Sequence, residues 1–290
     1  MLDIIVNPSA GKDGKKVKKV LPIVEKRLLE RGIRYVIHAT KMPKQATVLT
    51  QTLIGSGATD IIVIGGDGTL HEVINGFSNF DKVNLGIIPC GTGNDFISSI
   101  NLPLDPIKAV DLIIDGEAKF TDFMQMPTVR GLNIIGMGMD VEVLKKYSAL
   151  KRKSKFKYTW CLLKTLFDFH CVNFDVEIDG EKTSYNSFIA CIANGFRYGG
   201  GIPICPPAKS TDNKLDFVAV KQMNKLKLIN AFIKLKKGKI LSLPQTTHFN
   251  MQEIKILPTS DYTVNVDGEL YENIPFEVKI VSNTLKIYRP

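Results

Sequence analysis

The β-branched run Asp60–Ile64 enters Gly65-Gly66-Asp67-Gly68-Thr69 and then a helical pattern over about Thr69–Gly76. A buried strand that turns through adjacent glycines into a helix is one corner of a parallel α/β domain. Glycines let the backbone adopt positive φ and bring its N–H groups close to an anion, and the helix that follows points its positive end at the same place. A carboxylate held in that turn, Asp67, would repel a phosphate unless a divalent cation lay between them. The turn therefore predicts nucleotide phosphates with magnesium, and hence phosphoryl transfer. Taken alone, Gly-Gly-Asp-Gly also fits an ordinary βα turn with a capping aspartate.

Two further strand ends carry similar loops. Leu2–Val6 is followed by Asn7-Pro8-Ser9-Ala10-Gly11-Lys12, and Leu85–Pro89 by Cys90-Gly91-Thr92-Gly93-Asn94-Asp95-Phe96. In open parallel sheets, ligands bind beyond the carboxyl ends of the strands, so three such loops in the first hundred residues point to one site. Strands are expected at Leu2–Val6, Tyr35–Ala39, Ile61–Ile64 and Leu85–Pro89, with helices near Lys15–Glu30, Gln45–Ile54, Thr69–Phe77 and Pro106–Ile114. Pro22 predicts that the first of these helices kinks or starts later. Beyond Gln125 the chain turns strand-rich, with expected strands Leu132–Ile135, Asn173–Ile178, Ser187–Ala193, Leu215–Val220, Phe249–Leu257, Tyr262–Val266, Phe276–Val281 and Thr284–Tyr288. Asp179-Gly180 and Asp267-Gly268 read as hairpin turns. This half reads as an antiparallel β-sandwich with one or two inserted helices.

The chain resembles the bacterial soluble lipid kinases that carry the diacylglycerol kinase catalytic domain. The resemblance rests on Asn7–Gly11, Gly65–Glu72, Gly86–Phe96, Asn133 with Gly136, Gly138 and Asp140, Gly199-Gly200-Gly201, Pro206–Asp216 and Asp267-Gly268-Glu269, in family order across nearly the whole chain. It implies an α/β nucleotide-binding domain over 1–124, to which about 282–290 return, a β-rich lipid-substrate domain over 125–281, and an active site in the cleft between them. It implies ATP as phosphoryl donor, Mg2+ as cofactor, and a lipid hydroxyl as acceptor. Diacylglycerol is the first-choice acceptor, giving phosphatidic acid, and phosphatidylglycerol or a sphingoid-type lipid falls within the same resemblance. By residue, it implies Glu269 as the proton acceptor, its pKa raised by burial or a nearby carboxylate. Asp67 is the magnesium candidate. Nucleotide contacts fall on Asn7, Thr40, Gly66, Asp67, Gly68, Thr69, Leu70, His71, Glu72 and Thr92. Glu72 lies one helical turn beyond Asp67 and is expected to orient it or the metal waters, or else to be a surface glutamate. Asp95 joins the acidic network or caps the next turn. A structural magnesium is implied at Lys209, Asp212 and Lys214, the lysines through backbone carbonyls.

The sequence departs from the family pattern at several positions. Asn213 replaces the usual glycine after Asp212, although asparagine tolerates left-handed backbone. His71 stands where asparagine is common, Ala10 where serine is common, and Ile97-Ser98-Ser99 lacks a basic residue often found there.

Of 290 residues, 44% are hydrophobic and 23% charged, ordinary values for a globular protein. The net charge of +9 is uneven. Between Leu144 and Phe167 lie eight Lys or Arg and no acid, and from Phe217 to Gln252 there are seven lysines and no acid, both stretches interleaved with apolar residues. Such segments suit an anionic membrane surface, or are solvated helix faces. No recognition motif accompanies the charge, so nucleic acid is not expected as a partner. The N-terminus lacks a signal-peptide pattern and no apolar run reaches the roughly 20 residues of a membrane span. A cytoplasmic protein that visits the membrane peripherally is expected, and a homodimer is compatible with the sequence. Five cysteines without a C-x-x-C pair read as reduced thiols. The histidines at 38, 71, 170 and 248 are too scattered for a metal cluster, so a zinc site is not expected. Two other functions compete: NAD kinase, which shares Gly65–Thr69 but not the later loops, and a non-catalytic lipid- or nucleotide-binding protein.

Overall fold

The computed structural model describes residues 1–11, 14–150 and 154–290. The chain divides into two compact units, Met1–Asp122 with Ser282–Pro290, and Phe123–Val281. Lys12, and the Lys151, Arg152 and Lys153 of the first basic stretch, lie outside the described residues.

The first unit alternates β1 (Leu2–Val6), α1 (Val17–Glu30), β2 (Tyr35–Ala39), α2 (Gln45–Gly55), β3 (Asp60–Gly65), α3 (Asp67–Gly76) and β4 (Asn84–Pro89). A short α4 (Asp95–Ser99), α5 (Pro106–Asp115) and β5 (Ala118–Gln125) follow. The strands are parallel in the order β2-β1-β3-β4. Ile61–Ile64 are all buried, as the unbroken apolar run of a parallel strand covered on both faces requires. Pro22 lies inside α1, which starts before it at Val17. The missing backbone bond is offset by the buried stripe Val17, Val20, Val24 and Leu28. In α5, Asp105 caps the helix through its side chain and Pro106 takes the first position.

The second unit is β6 (Arg130–Gly131), β7 (Ile134–Gly138), α6 (Met139–Ser148), α7 (Lys155–Asp168), β8 (Val172–Ile178), β9 (Glu181–Ala193), β10 (Leu215–Lys221), α8 (Lys225–Lys236), β11 (Thr246–Met251), β12 (Glu253–Pro258), β13 (Thr263–Val266), β14 (Glu269–Glu272) and β15 (Glu277–Tyr288). It is a β-sandwich with helices added on one face. The first half of β9 pairs with β8, and its second half lies between β7 and β10. Alternation along the strands separates two cores. Ile135, Ile192 and Phe217 face Phe174, Ile256 and Val278 in the sandwich interior. Their neighbours Ile134, Cys191 and Val218 face Leu162, Leu166 and Leu228 of α7 and α8. Three α-helices are inserted among the described residues, where one or two were expected. The expected strand Phe249–Leu257 is two strands that change direction at Gln252, each with its own partner.

Asp179-Gly180 and Asp267-Gly268 both have positive φ at their two positions, the conformation of a tight hairpin turn. They join β8 to β9 and β13 to β14. β15 is continuous where two strands were expected. It pairs with β12 in the second unit and, at Lys286 and Ile287, runs parallel to β4 in the first. There Tyr288 donates to Asp60 Oδ1 at 2.6 Å, and burial with that carboxylate pushes its hydroxyl pKa up to about 12.

Candidate active site

In the first unit the loops after β1, β3 and β4 meet, and glycines permit the contact. A Cβ on Gly66 would lie 2.8 Å from the Gly91 Cα, and one on Gly91 would lie 2.6 Å from the Gly66 Cα. Gly11, at φ +69°, brings its own Cα against the Cys90 carbonyl. Polar bonds then tie the loops together. Asn7 Nδ2 donates to Thr69 Oγ1 at 3.0 Å, and Lys16 Nζ to the Gly91 carbonyl at 3.3 Å. Asp67 accepts the Asn94 N–H at Oδ2 (2.8 Å) and the Asp95 N–H at Oδ1 (3.1 Å). Cys90 is buried in this junction, and burial raises its thiol pKa against the opposing charge of Lys16.

α3 begins at Asp67 with Gly66 as its N-cap and no side-chain cap. Its first-turn N–H groups and its dipole are aimed at the loop cluster, an arrangement suited to an anion. The carboxylates of Asp67 and Asp95 approach one glycine. A Cβ on Gly93 would lie 2.8 Å from Asp67 Oδ2 and 3.4 Å from Asp95 Oδ2. A carboxylate retains lone pairs after accepting one N–H per oxygen, so these two acids fit a hard divalent cation.

The other expected nucleotide residues are placed as follows. Thr40 directly follows β2, its N–H donated to the Val6 carbonyl at 2.9 Å. Gly68 lies in the first turn of α3, and Thr92 is exposed in the loop after β4. Leu70 is a core residue whose N–H goes to the Gly66 carbonyl. His71 is buried within α3, beside Asn75. Glu72 is directed to α2: its Oε2 accepts the Ala46 N–H at 3.0 Å and its carbonyl accepts Thr47 Oγ1 at 2.8 Å. It therefore caps the start of α2 and does not lie free on the surface. Lys16 was missed because nothing distinguishes it among its neighbouring lysines.

In the second unit Glu269 is the first residue of β14 and is exposed, so the burial expected for it is not found. The cause is its position just past the tip of a two-residue turn. Asp267, in that turn, accepts the N–H groups of Leu132 at Oδ2 (2.5 Å) and of Asn133 and Ile134 at Oδ1 (2.9 and 3.0 Å). Asn265 Oδ1 accepts the Gly268 N–H at 2.8 Å, and its Nδ2 donates to the buried Asp140 Oδ2 at 3.1 Å. Burial raises the Asp140 carboxyl pKa from 3.8 to about 6. Asp140 also approaches Gly136 so closely that a Cβ there would lie 2.3 Å from Oδ2. Asp267 and Asn265 thus fix the turn that carries Glu269. The Asp-Gly-Glu motif contained Asp267, but as a turn residue only.

Lys209, Asp212 and Lys214 are exposed, and the Lys214 N–H bonds Asp212 Oδ1 at 3.2 Å. Asn213 has φ 57°, the left-handed geometry that asparagine tolerates. One carboxylate beside backbone carbonyls on such a turn is a donor set that fits a hydrated hard cation. In the glycine run 199–201, Gly199 at φ +60° lies against the Tyr158 ring, where a Cβ would be 2.2 Å from a ring carbon.

A parallel α/β unit with an anion-ready loop cluster, followed by a β-sandwich unit, is the architecture of a phosphoryl-transferring kinase. Residues 2–126 match the diacylglycerol kinase catalytic domain, and residues 133–289 match the YegS C-terminal NAD kinase beta sandwich-like domain. The chain belongs to the bacterial soluble lipid kinase family that carries the diacylglycerol kinase catalytic domain. Diacylglycerol kinase of Staphylococcus carnosus (strain TM300) is 27% identical over 290 residues, covering 99% of this chain and 94% of that protein. The Staphylococcus saprophyticus diacylglycerol kinase is 28% identical over 291 residues, covering 99% and 94%. A crystal structure assigned as a diacylglycerol kinase from Bacillus anthracis str. Sterne superposes with TM-score 0.79 at 25% identity, covering 100% of this chain and 96% of that one. NAD kinase from Archaeoglobus fulgidus, solved in complex with ATP, superposes with TM-score 0.56 at 12% identity, covering 99% and 92%, a likeness of fold alone. Among the described residues no helix is long and apolar enough to cross a membrane.

Proposed function

We propose that this protein transfers the γ-phosphoryl group of ATP to a lipid hydroxyl, with diacylglycerol as acceptor and phosphatidic acid as product. The observation that carries the reading is the glycine-built junction of three strand-end loops facing the uncapped start of α3. Phosphoryl transfer is mostly positioning and charge neutralisation, and this junction supplies both. The N–H groups of Gly68 and Thr69 bind phosphate oxygens, and Asn7 holds the Thr69 hydroxyl in place. Lys16 braces the loop that carries Thr92. Asp67 and Asp95 would hold magnesium, which neutralises phosphate charge when bound. Glu269 accepts the proton of the lipid hydroxyl, and the turn clamped by Asp267 and Asn265 orients it. Lys209, Asp212 and Lys214 would hold a second, structural magnesium.

The acceptor is met at an anionic bilayer. Supporting this, α7 exposes Phe156 (80%) and Trp160 (60%) one turn apart, and α8 exposes Ile229 and Ile233 among lysines. Apolar side chains flanked by cations suit the interface of an acidic membrane.

The test is transfer of labelled γ-phosphate from magnesium-ATP to a lipid panel in mixed micelles, with Glu269→Ala and Asp67→Ala alongside. Label on diacylglycerol, lost in both variants, supports the reading, and label on another lipid reassigns the acceptor. Label on NAD would replace the lipid reading with NAD kinase, and label on neither would refute kinase activity toward these acceptors.

A further inference from the structure

The histidines are scattered in sequence, but the second unit brings one of them to a cysteine and an aspartate. In the β10–β11 ladder Asp216 lies opposite Asn250 and Val218 opposite His248. Asp216 and His248 are thus diagonal neighbours on one face of the sheet, the face that Val218 presents to the helix-side core. Over that face comes the connection between β9 and β10. Cys205 is seated there by its own backbone, its N–H donated to the Phe196 carbonyl at 3.1 Å and its carbonyl accepting the Ala208 N–H at 3.1 Å.

We propose that Cys205, Asp216 and His248 form a binding site for a thiophilic divalent transition metal of the zinc class. The Cys205 sulfur, an Asp216 carboxylate oxygen and a His248 ring nitrogen all lie within 4.8 Å of one another. In a tetrahedral zinc site with bonds of about 2.0–2.3 Å, ligand atoms stand roughly 3.3–3.8 Å apart. An ion therefore enters with side-chain shifts of about an ångström, opening the present 2.6 Å contact between His248 Nε2 and Asp216 Oδ1. On binding, the Cys205 S–H releases its proton to solvent and its sulfur donates the freed electron pair to the metal.

Three features favour this set. One sulfur, one imidazole nitrogen and one carboxylate select zinc or its analogues over magnesium, which prefers oxygen alone. Asn250 Nδ2 donates to Asp216 Oδ1 at 2.8 Å and so orients the carboxylate from outside the ligand set. Cys205 and Asp216 are fully buried whereas the His248 side chain is 26% exposed, which leaves a path from solvent and room for water as the fourth ligand. A bound ion would fasten the 194–214 connection, which carries Lys209, Asp212 and Lys214, to the β10–β11 ladder. The inference does not depend on which substrate the protein phosphorylates.

The experiment is titration of the chelator-treated full-length protein with Co2+, followed by absorption. The expected result is a near-ultraviolet thiolate-to-cobalt band with the visible absorption of a tetrahedral site, saturating at about one equivalent. Zinc should abolish both, and excess magnesium should leave them. Cys205→Ser should remove the thiolate band. Because substitution at the buried Cys205 also perturbs packing, His248→Ala at the rim provides an independent test and should weaken cobalt binding at least tenfold. Absence of the thiolate band, or a band of full strength and affinity in folded His248→Ala, would overturn the proposal. The three side chains would then be a hydrogen-bonded polar hub without a metal.

Discussion

Asp140 offers the sharpest physical test of the second unit. Its carboxyl is buried in the first turn of α6. Burial raises its pKa from 3.8 to about 6, against the opposing effects of Asn265 and of backbone N–H groups at the helix start. The unfolded chain loses this proton near pH 4, the folded chain only near pH 6. The stability gained by keeping the acid neutral is therefore complete below about pH 4 and is lost as pH rises through about 6. A shift of about 2 pH units corresponds to about 3 kcal/mol. Asparagine has the same shape, never ionises, and can still offer an oxygen to Asn265 Nδ2. Relative to the parent, Asp140→Asn should therefore gain about 3 kcal/mol between roughly pH 4 and pH 7.5, whatever its offset at the acidic end. The assay is urea unfolding across that range, followed by far-UV circular dichroism and by fluorescence of the single tryptophan, Trp160, which reports on the second unit. A difference between the two proteins that stays flat with pH would refute the reasoning.

Other outcomes follow from the loop junction, the turn and the exposed helix faces. Gly91→Ala would force a methyl group to within 2.6 Å of the Gly66 Cα and of Asn94 Oδ1. It should separate the loops and abolish nucleotide protection in a thermal-shift assay, at a stability loss of about 1–3 kcal/mol. Asp267→Ala leaves three backbone N–H groups without their acceptor. It should cost about 2–4 kcal/mol in denaturant unfolding and lower kcat more than it raises KM for ATP. Glu269→Gln, at an exposed position, should leave stability within about 0.5 kcal/mol of the parent and lower phosphoryl transfer by about 100-fold or more. Phe156→Ser with Trp160→Ser should weaken sedimentation with anionic vesicles at least tenfold, with unchanged binding of ATP in solution.

β3 and β4 of the first unit were legible because each is a short, largely apolar run that ends in a glycine-rich loop, and the hairpins because Asp-Gly selects positive φ at both turn positions. β15 was not, because Asn283 at φ 55° looks in sequence like a turn between two strands, although the strand continues through it. The direction of Glu72 was equally hidden. A carboxylate one turn beyond Asp67 can serve either the loop or a neighbouring helix, and the α2 start is supplied by packing from 26 residues away. His248 meets Asp216 only through the β10–β11 register, which no local pattern specifies. Conversely, the loop motifs were visible because close backbone approach leaves glycine as the residue that fits, and that signature survives in one sequence.

The last strand has a consequence for synthesis. Lys286 and Ile287 complete the first unit by lying beside β4, yet they are made more than 150 residues after β5, when the whole second unit has already been translated. Until then β4 waits on the growing chain as an open edge, its backbone N–H and C=O groups unfilled on one side. The first unit cannot mature ahead of the sandwich unit in the usual order of emergence from the ribosome. A fragment cut near residue 124 would inherit that sticky edge permanently, and shortening the chain by its final five residues should yield insoluble protein despite leaving every residue of the proposed active site in place.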